Sequence, residues 1–164
     1  GAQGVVAPHI DTAADAAAFV QAVHYPPRGA RGFATYPRAG RFGTVDPQEH
    51  RRAALESTMA VAMLESPTAT RNADDIVRTA GIDAYLVGTA DLAASSGSGD
   101  PTVPKALERI RAAGRRAGVA RTDLVSNVDA ARAALDDGAQ LVVYNLTQSL
   151  MTLMRQLRIE TPRA

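Results

Sequence analysis

The apolar positions of this chain follow two periods. Short unbroken apolar runs at 5–7, 58–64 ("TMAVAML"), 83–87 ("DAYLV") and 139–144 ("AQLVVY") read as strands. Between them, apolar residues recur every three or four positions, which reads as helix. Residues 119–125 ("VARTDLV") form a weaker strand pattern. The predicted helices span 11–24, 46–57, 67–79, 102–118, 127–138 and 147–158. In the first, Asp11 or Thr12 offers the cap, and Ala16, Phe19, Val20 and Val23 share one face. The second opens with Asp46 as cap, Pro47 in the first turn and Glu49 placed to reach back. Pro67 opens the third; Gly81, Gly118 and Gly138 close the third, fourth and fifth. Residues 25–45 are too rich in glycine and proline for a regular element and read as one long loop. Residues 88–101, "GTADLAASSGSGDP", read as a second loop, at a strand mouth.

Five strands thus alternate with helices. The middle strands are apolar throughout, as parallel strands covered on both faces are. A small open sheet and five-eighths of a barrel both satisfy that pattern. The polar groups favour the barrel, because they sit at several successive strand ends: His9, Glu65, Asp91 and Asn145. An open sheet gathers its site at one crossover. We therefore expect a single partial-barrel domain over 1–164, with the loop 25–45 inside it.

Composition narrows the partners. At 164 residues the chain is long enough for one domain with a real core. Lys+Arg is 18 and Asp+Glu 17, which gives no electrostatic case for nucleic acid or an anionic membrane. There is no cysteine, hence no disulfide framework. No stretch approaches the ~20 apolar residues of a membrane span, and the first residues lack the basic start and apolar core of a signal peptide. A cytoplasmic protein is expected.

Glu65 and Asp91 each follow an apolar strand, one strand–helix–strand step apart. Either each caps a local turn, or the two share an object between them. Here the chain resembles the HpcH/HpaI family of class II, metal-dependent pyruvate aldolases. The stretches "GAQGVVAPHIDTAADA", "HYPPRGARGF", "AMLES" and "GIDAYLVGTADLAAS" carry the likeness and cover most of 1–95. The resemblance implies an α/β fold, the (β/α)8 TIM barrel of the aldolase/citrate lyase type, represented by about its last five strand–helix units. It implies retro-aldol cleavage of a 4-hydroxy-2-oxo acid to pyruvate and an aldehyde through a metal-stabilised enolate. Glu65 and Asp91 would be the metal ligands, for Mg²⁺ or Mn²⁺, or Co²⁺. The backbone N–H groups of Gly88, Thr89 and Ala90 would hold the pyruvate carboxylate, with Thr89 standing where the family usually has proline. The partners implied are a small keto acid and an aldehyde, and a homo-oligomer or an association with an N-terminal fragment. The family's catalytic histidine and substrate-holding arginine belong to the part of the barrel before the fourth strand, and no position here matches either. His9, beside Pro8 at a strand mouth, is the one candidate for a proton relay, against a plain structural hydrogen bond.

Other residues carry weaker signals. Arg28, Arg31, Arg38 and Arg41 cluster in the long loop, as a solvated face or subunit contact does, or as a recruiter of an acidic aldehyde. His24 ends a helix, where a cation is favoured, and His50 is expected to be exposed. Leu150, Leu153, Met154 and Leu157 make an apolar stripe on the last helix, which calls for a partner surface. Two other functions stay open: a non-catalytic subunit or degenerate relative that binds metal or keto acid without a base, and a related lyase acting on an acyl-CoA thioester.

Overall fold

The computed structural model describes residues 1–157; the expected end of the last helix at Arg158 and the proline beyond it, Pro162, lie outside them. The chain forms two compact units, Gly1–Arg121 and Thr122 onward.

The first unit begins with β1 (Gly4–Ala7), α1 (Ala13–Val23), α2 (Pro47–Ser57) and β2 (Met59–Leu64). It continues with α3 (Pro67–Arg71), α4 (Ala73–Val77), β3 (Ala84–Val87), α5 (Thr89–Ser95) and α6 (Val103–Ala117), and ends at the start of β4 (Ala120–Val125). β1 pairs in parallel with β2, Gly4 opposite Met59 and Ala7 opposite Ala62. β2 pairs in parallel with β3, Val61 opposite Ala84 and Leu64 opposite Val87. Parallel pairing puts the three strand ends at one mouth and the three strand starts at one floor.

Helices and strands meet in an alanine-rich core: Ala16, Val20, Ala62, Leu64, Ala69, Ala73, Ile76, Tyr85, Ile110 and Ala113 are buried together. Small side chains let helix backbones lie close on the sheet. The larger members supply most of the driving force, at about 1.5–3 kcal/mol for each fully buried Leu or Ile.

The caps follow the sequence signals, except that the Glu49 side chain, expected to reach back, bonds to no described residue. The Thr12 hydroxyl accepts from the Asp15 N–H, and Asp15 reaches back to complete a capping box. Asp46 accepts from the N–H groups of Gln48 and Glu49 ahead of α2. Gly118 ends α6 in the left-handed conformation.

Three expectations change. The helix expected over 67–79 is two short helices broken at Asn72, whose side-chain amide donates to the Asp11 carbonyl at 2.8 Å. The mouth loop expected over 88–101 begins with a helix, α5, because Thr89–Ser95 form about two turns that bury Leu92; most of the serine- and glycine-rich stretch follows it. The loop 25–45 holds a short 3-10 turn over Arg38–Gly43.

The floor also corrects two histidines. His24 caps the C-terminus of α1 but is 2% exposed, and burial together with Arg28 holds its pKa below the ordinary value, so it is no helix-end cation. His50 is buried rather than exposed: its Nε2 lies 3.3 Å from the Tyr25 hydroxyl, and both rings pack around Phe33. Asp83, just before β3, ties the floor together. One carboxylate oxygen accepts from the Ala60 N–H at 2.8 Å and the other from Arg28 at 3.2 Å.

The second unit pairs the rest of β4 with β5 (Leu141–Tyr144) in parallel, and carries α7 (Val128–Asp136) and α8 (Leu146–Gln156). Asn127 caps α7, and Asn145, expected at the end of the last strand, caps α8. Leu150, Leu153, Met154 and Leu157 are all exposed.

Candidate active site

The mouth of the first unit is assembled from the residues that follow β1, β2 and β3. Glu65 comes directly after β2. It is 4% exposed, and an acid so deeply placed needs partners. Its Oε1 accepts from the backbone N–H of His9 at 2.9 Å and lies 3.3 Å from the His9 ring Nδ1. His9 adopts φ +54, a left-handed conformation that is rare for a residue with a side chain. That conformation is the one in which its N–H meets Glu65. The His9 side chain is otherwise open to solvent, 75% exposed.

The other side of Glu65 is set by Gly88. A Cβ at position 88 would stand 2.5 Å from Glu65 Oε2 and 2.8 Å from Glu65 Cβ. Only glycine lets the β3 end approach this carboxylate so closely. Next to Glu65, the Ser66 hydroxyl donates to the Asp11 carboxylate and accepts from the Ala69 N–H, which locks the turn that presents Glu65.

Asp91 lies at the same mouth, three residues beyond Gly88 in the first turn of α5, and is exposed. The structure therefore places both acids at one end of the sheet. Glu65 is buried and bonded; the Asp91 carboxylate makes no hydrogen bond or ion pair with another described residue. The expected anion donors divide. The Gly88 N–H already donates to the Leu64 carbonyl at 3.2 Å and so continues the strand pairing. The N–H groups of Thr89 and Ala90, at the start of α5, have no acceptor among the described residues. His9 is brought to the mouth; His24 and His50 are at the floor, where the cavity beside His50 is lined by Gln3, ahead of β1, and by Thr58, ahead of β2.

Sequence reasoning named these residues but not what they do here. Gly88 matters for space and not only for its N–H. Asp11, read as a possible cap, secures Ser66. His9, read at a strand mouth, orients Glu65 through its main chain. Two carboxylates are hard oxygen donors that suit a divalent cation of the Mg²⁺ or Mn²⁺ kind. Among the described residues no group of three or more His, Asp or Glu is arranged to hold a metal ion. A pair leaves most of such an ion's coordination open. The donors present therefore fit an ion shared with a ligand, and do not form a closed protein cage.

A family model described as HpcH/HpaI aldolase/citrate lyase matches residues 1–152, well past the stretch 1–95 that carries the most distinctive motifs. A 4-hydroxy-2-oxovalerate aldolase of Rhodococcus jostii is 39% identical over 159 residues, covering 92% of this chain and 59% of that protein. The chain thus spans about three-fifths of the length of this curated relative. The crystal structure of a family protein from Burkholderia cenocepacia superposes with a TM-score of 0.83 at 34% identity, over 96% of this chain and 64% of that one. A citrate lyase β subunit from Mycobacterium tuberculosis, solved with oxaloacetate and magnesium, shares the fold at a TM-score of 0.55 and 16% identity, over 96% of this chain and 62% of that one. The chain is therefore built of about five strand–helix units of an aldolase/citrate lyase (β/α) barrel.

Proposed function

Because this chain belongs to the HpcH/HpaI aldolase/citrate lyase family, we propose that it provides the metal- and keto-acid-binding mouth of a carbon–carbon lyase. The reaction is retro-aldol cleavage of a 4-hydroxy-2-oxo acid to pyruvate and an aldehyde. The observation that carries this reading is the placement of buried Glu65 and exposed Asp91 at one strand mouth, with Gly88 close against Glu65.

Glu65 and Asp91 would hold a divalent cation, Mg²⁺ or Mn²⁺, whose charge makes the methyl protons of a bound 2-keto acid easier to remove. The rest of the work falls to the chain's own groups. His9 fixes Glu65 through its N–H, so the carboxylate needs no reorganisation when ligand arrives. The free N–H groups of Thr89 and Ala90 donate to the keto-acid carboxylate, and the Thr89 hydroxyl adds a donor. His9 is thereby a positioning residue. The described residues place no second imidazole at the mouth, so proton removal by this chain alone is slow; loss of a positioned base costs about 10²–10⁴-fold. That makes ligand binding the sharper test.

Pyruvate is titrated into the chain with substoichiometric Mn²⁺, and broadening of its methyl proton resonance is followed. Broadening well beyond that by free Mn²⁺, lost on chelation and lost in Asp91→Asn, is the expected result. Broadening unchanged by Asp91→Asn or by Glu65→Gln overturns the site. In the assembled enzyme we expect an oligomer. The exposed stripe Leu150, Leu153, Met154 and Leu157 on α8, and the half-exposed Val5 and Val6 on β1, supply apolar surface for contacts.

A further inference from the structure

The opposite end of the same sheet has chemistry that the aldolase reading does not use. A cavity of about 400 Å³ opens at the floor, lined among others by Gln3, Arg31, Arg41, His50, Ser57 and Thr58. No acidic residue lines it. Neither Arg31 nor Arg41 is in an ion pair among the described residues. Some other arginines of this unit find acids: Arg28 with Asp83, Arg71 with Asp100, Arg116 with Asp74. Arg51, like Arg31, lies instead over an aromatic ring, that of Phe33.

Both arginines are exposed, and their main chains are held in place. The Arg31 N–H donates to the His24 carbonyl at 3.0 Å, and its guanidinium carbon lies 4.7 Å over the centre of the Tyr25 ring. The Tyr25 hydroxyl meets His50, so Tyr25, which does not itself line the cavity, links Arg31 to His50. Arg41 sits in a turn that is expensive to form. Arg41, Phe42 and Gly43 adopt φ +48, +57 and +88 in succession. The first two of these carry side chains, and each costs about 1–3 kcal/mol in that region. The turn persists because its backbone is tied down. The Phe42 N–H donates to the Pro37 carbonyl and the Gly43 N–H to the Thr35 carbonyl. Gly40 passes so near Thr35 that a Cβ there would stand 1.9 Å from the Thr35 carbonyl oxygen. Strain held this firmly, on a residue that brings an unpaired cation to a cavity, points to a ligand.

We propose that the cavity bounded by Arg31, Arg41 and His50 binds a small oxyanion, a phosphate or carboxylate group, at a site separate from the mouth. The guanidiniums supply charge-assisted hydrogen bonds, and Gln3, Ser57 and Thr58 supply neutral ones. The six residues of β2 separate Thr58 at the floor from Glu65 at the mouth, roughly 20 Å at about 3.3 Å per residue. A bound anion there takes no part in cleavage; it ties the loop 25–45 to α2 and to the chain entering β1. The site stands independently of the lyase reading.

The test is titration of inorganic phosphate, and separately of succinate, into the full 164-residue chain, followed by calorimetry and by the His50 ring resonances. The two ligands distinguish a phosphate from a carboxylate preference. The expected result is saturable binding of at least one of them, with His50 resonances moving. Arg31→Gln and Arg41→Gln each weaken it about tenfold, and Arg38→Gln leaves it unchanged. Arg38 is the control because it belongs to the same loop but does not line the cavity. Binding that is weakened equally by Arg38→Gln, that leaves His50 unmoved, or that never saturates for either anion overturns the proposal.

Discussion

The mouth and the floor of the first unit's sheet are built on opposite plans. At the mouth, one acid is buried and bonded, while among the described residues the other, exposed acid has no partner and two helix N–H groups have no acceptor. At the floor, the acid is fully committed: Asp83 serves both the Ala60 N–H and Arg28, while Arg31 and Arg41 are left over. Parallel strands enforce the separation, since every strand start faces one way and every strand end the other. The lesson is that a carboxylate's role follows from what its oxygens already do. Asp83 has no oxygen to spare and is structural. Glu65 has one oxygen on His9 and one against Gly88, a position that orients it without occupying it. Asp91 has both free among the described residues.

If that contrast is right, the largest loss of stability comes at the floor. Asp83→Ala leaves the Ala60 N–H buried without an acceptor and removes the Arg28 partner. Urea denaturation is expected to show a loss of about 3 kcal/mol, and Mn²⁺ affinity should be unchanged in the folded protein. Gly88→Ala strikes the mouth by space alone. The added Cβ must displace Glu65, with an overpacking cost of about 2 kcal/mol and a loss of Mn²⁺ binding of at least tenfold. Asp91→Asn should change stability by no more than about 0.5 kcal/mol, as an exposed substitution away from any packing feature does. A large stability loss there would mean that Asp91 is a structural cap after all.

The smallest effect is a pH dependence at the floor. Burial and Arg28 lower the folded-state pKa of His24 from 6.5. Below that value the unfolded chain takes up a proton that the folded chain refuses. Stability therefore falls as pH drops below about 6.5 and levels off once pH is under the folded-state pKa. Chemical denaturation at a series of pH values should show this slope, and His24→Gln should flatten it. A slope of the opposite sign would mean that His24 is charged in the fold.

Much of the fold was legible because it rests on local rules. Thr12 and Asp46 cap where their spacing says, and Gly118 ends α6. The apolar runs became parallel strands in chain order within the first unit. What was hidden depends on contacts between distant positions. Nothing local marks Asn72 as a helix break, because its amide bonds to Asp11 from 61 positions away. Nothing local makes His50 a buried residue; Tyr25 and Phe33 do that from another segment. At the site, the pair Glu65 and Asp91 was readable from strand ends and from the family resemblance. The grip of His9 on Glu65 and the close pass of Gly88 were not, since both are tertiary. The serine-rich segment after α5 also drew attention away from the helix ahead of it.

The central claim is that Glu65 and Asp91 share one divalent ion. Its most direct test is titration of Mn²⁺ into the chain, with free Mn²⁺ read by electron paramagnetic resonance, for the wild type, Glu65→Gln and Asp91→Asn. The account predicts one site per chain that is weakened at least tenfold by either substitution, with Mg²⁺ competing for it. Affinity that survives either Asp91→Asn or Glu65→Gln intact would contradict it.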